Sequence, residues 1–223
     1  RLVGSEMCIR DSLPMIYRGI SPILAAVLVV AFTTIVTMCM VDGITKKSIS
    51  AMLGTIIGVV FSGAFALIFG RVTSITGYNV SDIENLVYVG EMTDIKIGEL
   101  LFAGILIASL GAVMDVGMSI ASTLNELKEQ NPQMMLKELF QSGMNVGRDM
   151  MGTMTNTLIL AFTGGSINTL VFIFAYNYEY QQVINMYSVG IEIMQGLSSS
   201  LGVIMAVPIT SWIAAFLYSR NQK

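Results

Sequence analysis

The sequence predicts an all-α polytopic membrane protein, and three observations support that prediction. The chain of 223 residues is 54% hydrophobic and 12% charged, whereas soluble globular proteins carry about 25% charged residues. Its hydrophobic residues are concentrated in runs of roughly twenty, each long enough to cross a bilayer core as a helix. Within lipid, a helix is the only open-chain structure that satisfies all backbone hydrogen-bonding groups. The composition therefore excludes an ordinary soluble domain.

Five hydrophobic segments are the predicted transmembrane helices of a single domain over residues 13–223. We expect the spans at about residues 20–41, 49–72, 97–124, 150–176 and 197–218. Between spans three and four, a turn at Asn131–Pro132 is followed by an amphipathic pattern, which predicts a helical hairpin over residues 125–148. Residues 177–196 contain several tyrosines, which are typical of an interfacial helix at headgroup depth.

The distribution of basic residues predicts the orientation of the spans, because cytoplasmic loops carry an excess of Lys and Arg. Seven basic residues lie on one side: Lys46, Lys47, Lys128, Lys137, Arg148, Arg220 and Lys223. Three lie on the other side: Arg18, Arg71 and Lys96. We therefore expect the C-terminus and the loop 125–148 to be cytoplasmic.

The first twelve residues, RLVGSEMCIRDS, are expected to derive from a sequencing adapter rather than from the natural protein. A transposase adapter translates as LVGSEMCIRD followed by Ser or Arg, and this matches Leu2 through Asp11. The segment also lacks the apolar core that a secretory signal requires. On this interpretation residues 1–12 are an artefact, the natural N-terminus is missing, and Cys39 is the only natural cysteine.

Polar residues within and beside the predicted spans form the candidate site. Asp115 lies within span three, where a carboxylate costs about 2.5–3.5 kcal/mol on insertion scales and indicates a functional site by default. Helical spacing places Ser119 and Ser122 on the same face as Asp115. If this face meets a second polar face at the start of span four, the two line a hydrated path. The predicted path residues are Asp115, Ser119, Ser122, Arg148, Asp149, Thr153, Asn156 and Thr157.

Other interpretations of these residues stay open at the level of sequence. The hydroxyl and amide side chains could simply join helices, through hydrogen bonds worth about 0.6 kcal/mol each. Asp115 could be a static ion-pair partner of Arg148, or it could reach the cytoplasmic interface. Glu99 and Glu192 lie near predicted span ends, where we expect both carboxylates to be solvated.

The sequence predicts no enzymatic or cofactor chemistry. Histidine is absent, which removes the usual general acid–base residue and the commonest metal ligand. Walker A, HExxH and GxSxG sequences are absent as well. A net charge of −3 does not favour nucleic acid as a partner. We therefore expect no catalytic, cofactor-binding or metal-binding residues, no nucleotide, and the lipid bilayer as the main partner.

A resemblance to a known family is densest in two segments: GAVMDVGMSIASTLNELKEQNP (111–132) and KELFQSGMNVGRDMMGTMTNTLILAFTGGS (137–166). They resemble the signature of the YibE/YibF family of bacterial integral membrane proteins. Residues 98–115 are more similar to the YibE branch than to the YibF branch. The resemblance implies several transmembrane helices in a bacterial cytoplasmic membrane, with a YibF-like partner subunit or a homo-oligomer as partners. It implies no defined activity.

A more distant similarity is to SecF-type translocation subunits and related RND permeases. Those proteins carry an Asp in one span, then a cytoplasmic loop, then an Arg followed by a polar helix that ends near Gly-Gly. Asp115, Arg148 and the pair Gly164–Gly165 follow that order. This similarity implies transport or translocation, with Asp115 as the titrating group. The alternative is a non-transporting scaffold or assembly factor in which an Asp–Arg pair is structural.

Overall fold

The computed structural model describes residues 10, 12–78, 84, 87–88, 90 and 95–219. These residues form helices and turns, without a strand in this part of the chain. Helical residues 12–17 precede the longer elements. The helices that follow are α1 (Pro22–Asp42), α2 (Lys46–Val72), α3 (Ile97–Gln130), α4 (Leu136–Gly165), α5 (Ile167–Ala175), α6 (Tyr180–Ile184) and α7 (Tyr187–Ser219).

Four of these helices, α1, α2, α3 and α7, are each long and apolar enough to cross a membrane. Helices α4 and α5 meet the same test only as a pair, and they are bent by 54° at their junction. The structure therefore supports four spans, or five if the bent pair crosses the membrane as one. The predicted fold class, an all-helical polytopic membrane protein, is confirmed.

The turn between α1 and α2 shows how local sequence ends one span and starts the next. Gly43 ends α1 with a φ of 69°, a left-handed conformation that glycine adopts without steric cost. The Thr45 hydroxyl then accepts a hydrogen bond from the Ser48 amide at 3.1 Å and caps α2. Lys47 closes the turn with an ion pair to Asp42 at 2.7 Å. The two helices are therefore held as a tight antiparallel hairpin.

Helices α2 and α7 form the most extensive helix pair in the bundle, and small residues make their close approach possible. A Cβ atom built on Gly58 would lie 2.8 Å from both Ala206 Cβ and Val113 Cγ1, while one on Gly202 would lie 2.7 Å from Ser62 Cβ. Small residues at such contacts allow backbones in a membrane to approach and gain dispersion energy. Because Val113 belongs to α3, the helices α2, α3 and α7 have almost no room for larger side chains where they meet.

Helix α4 packs across the groove between α3 and α7. A Cβ atom on Gly143 would lie 2.7 Å from Ser211 Oγ of α7 and 3.1 Å from Leu124 Cδ1 of α3. One turn later on α4, Gly147 packs in the same way against Val207 of α7. Helix α3 contacts α1, α2, α4 and α7, and it is the central helix of the bundle.

The turn predicted at Asn131–Pro132 is present, and the helices on either side of it are longer than the predicted spans three and four. Helix α3 continues to Gln130 and α4 already begins at Leu136, so most of the segment 125–148 belongs to these two long helices. The chain turns only at residues 131–135. Nothing breaks the helix before Asn131–Pro132, and α4 restarts at once because the Glu138 carboxylate accepts a hydrogen bond from the Met135 amide at 2.9 Å. The cytoplasmic location of this turn stays a prediction.

The single interfacial helix that we predicted over residues 177–196 was wrong. Helix α6 covers only Tyr180–Ile184, and the residues from Tyr187 onward are the first turns of α7. Met194 is buried in a cluster that includes Ile75, so packing against the end of α2 extends α7 beyond its hydrophobic run. Of the expected adapter, residues 1–9 and 11 lie outside the described residues, and its origin stays a prediction.

Gly58→Val tests the packing between α2, α3 and α7. We expect the variant to lose about 1–3 kcal/mol of stability, because the valine would overlap Ala206 and Val113 in a filled core. Gly104→Val is the matched control, since Gly104 is exposed on α3 with no heavy atom within 4 Å. Thermal unfolding in detergent, followed by circular dichroism, measures both. Equal destabilisation of the two variants would contradict the packing described here.

Candidate functional site

The basic residues at the two ends of α2 indicate where the middle of the bundle lies along the helix axes. This helix of 27 residues begins at Lys46 and Lys47 and has Arg71 in its last turn. Basic side chains at the ends of a spanning helix extend to the two interfaces. The middle level of the bundle therefore lies near Gly58 and Val59.

Arg148 lies near this middle level. A Cβ atom on Gly147 would lie 3.3 Å from Val207 Cβ, and the neighbouring residue Ala206 contacts Gly58. The same Cβ position would lie 3.3 Å from Ile120 Cδ1, and Ile120 follows Val113, which contacts Gly58, by about 10 Å along α3. Arg148 therefore lies between the level of Gly58 and a level about 10 Å nearer the α3–α4 turn. The sequence-based prediction placed Arg148 at the end of the loop 125–148, and the structure places it within helix α4. The cytoplasmic location of that segment stays a prediction.

Asp115 lies at the middle level on α3. Two residues before it, Val113 contacts Gly58. Two residues after it, a Cβ atom on Gly117 would lie 2.9 Å from Thr55 Oγ1. Because both neighbours contact the middle of α2, Asp115 is far from either end of its helix. This position does not favour the interpretation in which Asp115 merely reaches the interface.

The predicted polar residues of α4 form its outward face. All five of them are exposed: Arg148, Asp149, Thr153, Asn156 and Thr157. The buried residues of the same helix are Leu139, Gly143, Gly147 and Leu158. Helix α4 is therefore amphipathic like a surface helix of a soluble protein: its apolar side faces the bundle and its polar side faces outward. In a spanning helix this face would ordinarily be apolar.

The polar residues of α3 also lie on the outer side of that helix. Asp115 and Ser119 are half-buried and Ser122 is exposed, whereas Val116 and Ile120 on the inner side are fully buried. Helices α3 and α4 contact each other through Leu124, Ile120 and two glycines. A path lined by both polar faces would thus follow the outer surface of the hairpin rather than its packed interior.

Hydroxyl groups within the candidate site bond to the backbone of their own helices. The Ser119 hydroxyl donates to the Asp115 carbonyl at 2.8 Å, and the Thr157 hydroxyl donates to the Thr153 carbonyl at 2.9 Å. Thr153 does the same to the Asp149 carbonyl at 3.2 Å. Such bonds are usual for Ser and Thr in helices, and they leave the hydroxyl oxygens able to accept a further hydrogen bond. The predicted ion pair between Asp115 and Arg148 stays a prediction.

The structure adds a set of buried hydroxyls that sequence reasoning missed. Thr55 and Ser62 lie on α2, the others lie on α7, and none of these hydroxyls has a hydrogen-bond partner: Thr55, Ser62, Ser198, Ser199, Thr210, Ser211 and Tyr218. The spacing of small residues in both helices was the signal that could have revealed them. Ser62 and Thr210 pack against Gly202 and Gly54 of the facing helix, so their small volume serves the close approach of α2 and α7.

A second polar feature lies where α4 ends. Between the 54° bend at Ser166 and the first turns of α7 is a cavity of about 320 Å³ with mostly apolar walls. Glu192 is the ionisable residue in its lining, and it is half-buried rather than freely solvated as we expected. Glu99, the other carboxylate near a span end, accepts a hydrogen bond from Ser21 and joins the starts of α1 and α3.

Among the described residues, no group of three or more acidic or Cys side chains is placed to hold a metal ion. The fold and the candidate site together define a polytopic helical membrane protein with charged residues near the middle level of its bundle.

The chain belongs to the YibE/F-like protein family, whose sequence profile matches residues 7–220. The resemblance read from the segments on either side of the α3–α4 turn is thereby confirmed. No curated protein and no solved structure matches the chain. The similarity to SecF-type subunits stays a prediction.

A disulfide between α4 and α7 tests the depth of Arg148. In a Cys8→Ser, Cys39→Ser background, the pair Gly147→Cys and Val207→Cys is expected to form an intramolecular disulfide, because the Cβ separation of 3.3 Å is close to the 3.5–4.5 Å that the bond requires. Gly152→Cys with Val207→Cys is the control and should not form one. Mobility on non-reducing gels measures both. If only the control pair formed a disulfide, α4 would lie at a different position along its axis, and Arg148 would not lie near the middle level.

Proposed function

We propose that this YibE/F-like protein is a multi-pass protein of a bacterial cytoplasmic membrane that takes part in transport or translocation. The observation that carries the proposal is the position of Asp115, Arg148 and Asp149 near the middle level of the bundle. A charged side chain at the bilayer centre costs about 2.5–3.5 kcal/mol on insertion scales. Three such residues near this depth therefore favour a role in moving charge or polar substrate.

The balance of charge at this level supports a proton or a small cation as the coupled species. Two carboxylates and one guanidinium leave a formal charge of −1 when all are ionised. A net negative charge in a medium of low dielectric favours uptake of a positive ion. On this proposal Asp115 takes up the proton or cation, while Ser119, Ser122, Thr153, Asn156 and Thr157 line the path.

The proposed topology has the C-terminus and the α3–α4 turn in the cytoplasm. Lys128 and Lys137 flank that turn, and the excess of basic residues on this side supports the assignment. The proposal includes no catalytic residues, no cofactor and no metal, so the protein would act on its substrate by binding and passage.

A non-transporting scaffold or assembly factor is the second candidate. The outward direction of the α4 polar face favours it, because such a face suits a protein partner as well as it suits a path. In that case Asp115 and Arg148 would stabilise the fold or an interface, and no flux would depend on them.

Asp115→Asn separates the two candidates. For a transporter, we expect the variant to express normally and to lose at least about tenfold of the proton flux, because the amide cannot ionise. The assay uses the full-length protein in liposomes under an imposed pH gradient, with a pH-sensitive dye inside. Glu126→Gln is the control, since Glu126 is exposed near the end of α3.

An unchanged flux in Asp115→Asn, with the control also unchanged, would contradict a role for Asp115 in transport. A variant that shows no flux defect but has lower thermal stability or weaker recovery of partner proteins would instead support the scaffold.

A further inference from the structure

We propose that a second copy of this chain packs against the outward face of α4, so that the protein forms a two-fold symmetric dimer within the membrane. The interface would be centred on Arg148, Asp149, Gly152 and Asn156. This inference concerns an interaction surface and stands whether or not the protein transports.

The face lies at a depth where lipid cannot satisfy it. Its polar residues from Arg148 to Thr157 cover about 13 Å along the helix axis and begin near the middle level of the bundle. All of them are exposed in the single chain. Charged side chains at such depth face other protein or a water-filled cavity, because hydrocarbon offers no hydrogen bonds. Something other than lipid must therefore cover this face.

The outward surfaces of α1 and α7 differ from that of α4. Helix α1 presents Leu24, Leu28 and Phe32 at about half exposure, and α7 presents Trp212 and Phe216. These side chains are apolar and suit contact with acyl chains. The described part of the bundle thus combines lipid-compatible faces on α1 and α7 with outward polar residues on the neighbouring helices α3 and α4.

The arrangement of residues on α4 leaves room for another helix. At 100° per residue, Asp149, Gly152 and Asn156 lie near the centre of the exposed face, and Arg148 lies at its flank. No heavy atom lies within 4 Å of a Cβ position on Gly152. A neighbouring helix can therefore approach the backbone closely at this point, as small residues allow in membranes.

The polar face is complementary to itself, which favours a second copy over an unlike partner. Two copies inserted in the same direction are related by a two-fold axis along the membrane normal, so equal depths meet. Arg148 and Asp149 differ by only 1.5 Å in height, and each Arg148 can pair with Asp149 of the second copy. Asn156 amides both donate and accept hydrogen bonds, so the two copies of Asn156 can bond across the axis.

Cysteine cross-linking in native membranes tests the contact. In a Cys8→Ser, Cys39→Ser background, Asn156→Cys and Gly152→Cys are each expected to give a disulfide-linked species of twice the chain mass on oxidation. Phe32→Cys is the matched control, because Phe32 is similarly exposed near the middle of α1 and faces away. Co-expression of copies with two different tags shows whether both belong to this chain.

Charge reversal provides a second test that does not depend on cysteine. Arg148→Asp and Asp149→Arg are each expected to weaken dimerisation by about tenfold or more, because like charges would face each other. The double variant should recover most of the affinity, since the pairs are restored in reverse. Energy transfer between labelled copies in vesicles, at decreasing protein-to-lipid ratio, measures the dissociation.

Several results would overturn the proposal. They are a cross-link only to an unlike protein, equal cross-linking at Phe32→Cys, and no cross-link at either α4 position in a variant that runs as a folded species. A double variant no better than the single variants would also overturn it.

Discussion

Contact between helices through glycine and small hydroxyl residues is the interaction on which the bundle depends. Gly58 and Gly202 allow the close approach of α2 and α7. Gly143 and Gly147 allow α4 to pack between α3 and α7. In a bilayer the hydrophobic effect does not drive helices together, so close packing has to supply the attraction. The same glycines fix the axial position of α4, and with it the depth of every side chain that α4 carries.

The sequence could predict the spans but not the limits of α3 and α4. Runs of apolar residues identify helices that could cross lipid, and these runs were enough for the fold class. The family was identified from the sequence of residues 111–132 and 137–166. Residues 136–149 contain Lys137, Glu138 and Arg148, so their mean polarity concealed that they belong to a long helix of the bundle. What holds them in the bundle is a single inner face of Leu139 and two glycines, and glycine carries little hydropathy signal. The depth of Arg148 therefore required the three-dimensional contacts.

The sequence predicted which polar residues share a helix face, but it did not predict which way each face points in the bundle. Helical spacing grouped Asp115 with Ser119, and Asp149 with Asn156, and the structure keeps these groupings. Which way each face points depends on the neighbours of the helix. Leu124 and Ile120 occupy the contact with α4 because they match Gly143 and Gly147 in shape, and this turns the polar faces outward. The half-buried position of Glu192 was not predictable for a similar reason, since its cavity lies beside the bend between α4 and α5.

For a protein that transports as proposed, the level of Asp115 also determines how the membrane potential acts on a proton that it takes up. A charge that crosses the whole membrane gains about 2.3 kcal/mol per 100 mV. A proton that reaches Asp115 from one side has crossed about half of the field, or roughly 1 kcal/mol at 100 mV. Loading from opposite sides of an energised membrane then differs in free energy by the full potential. A carboxylate at this level responds to voltage without any movement of the helix that carries it.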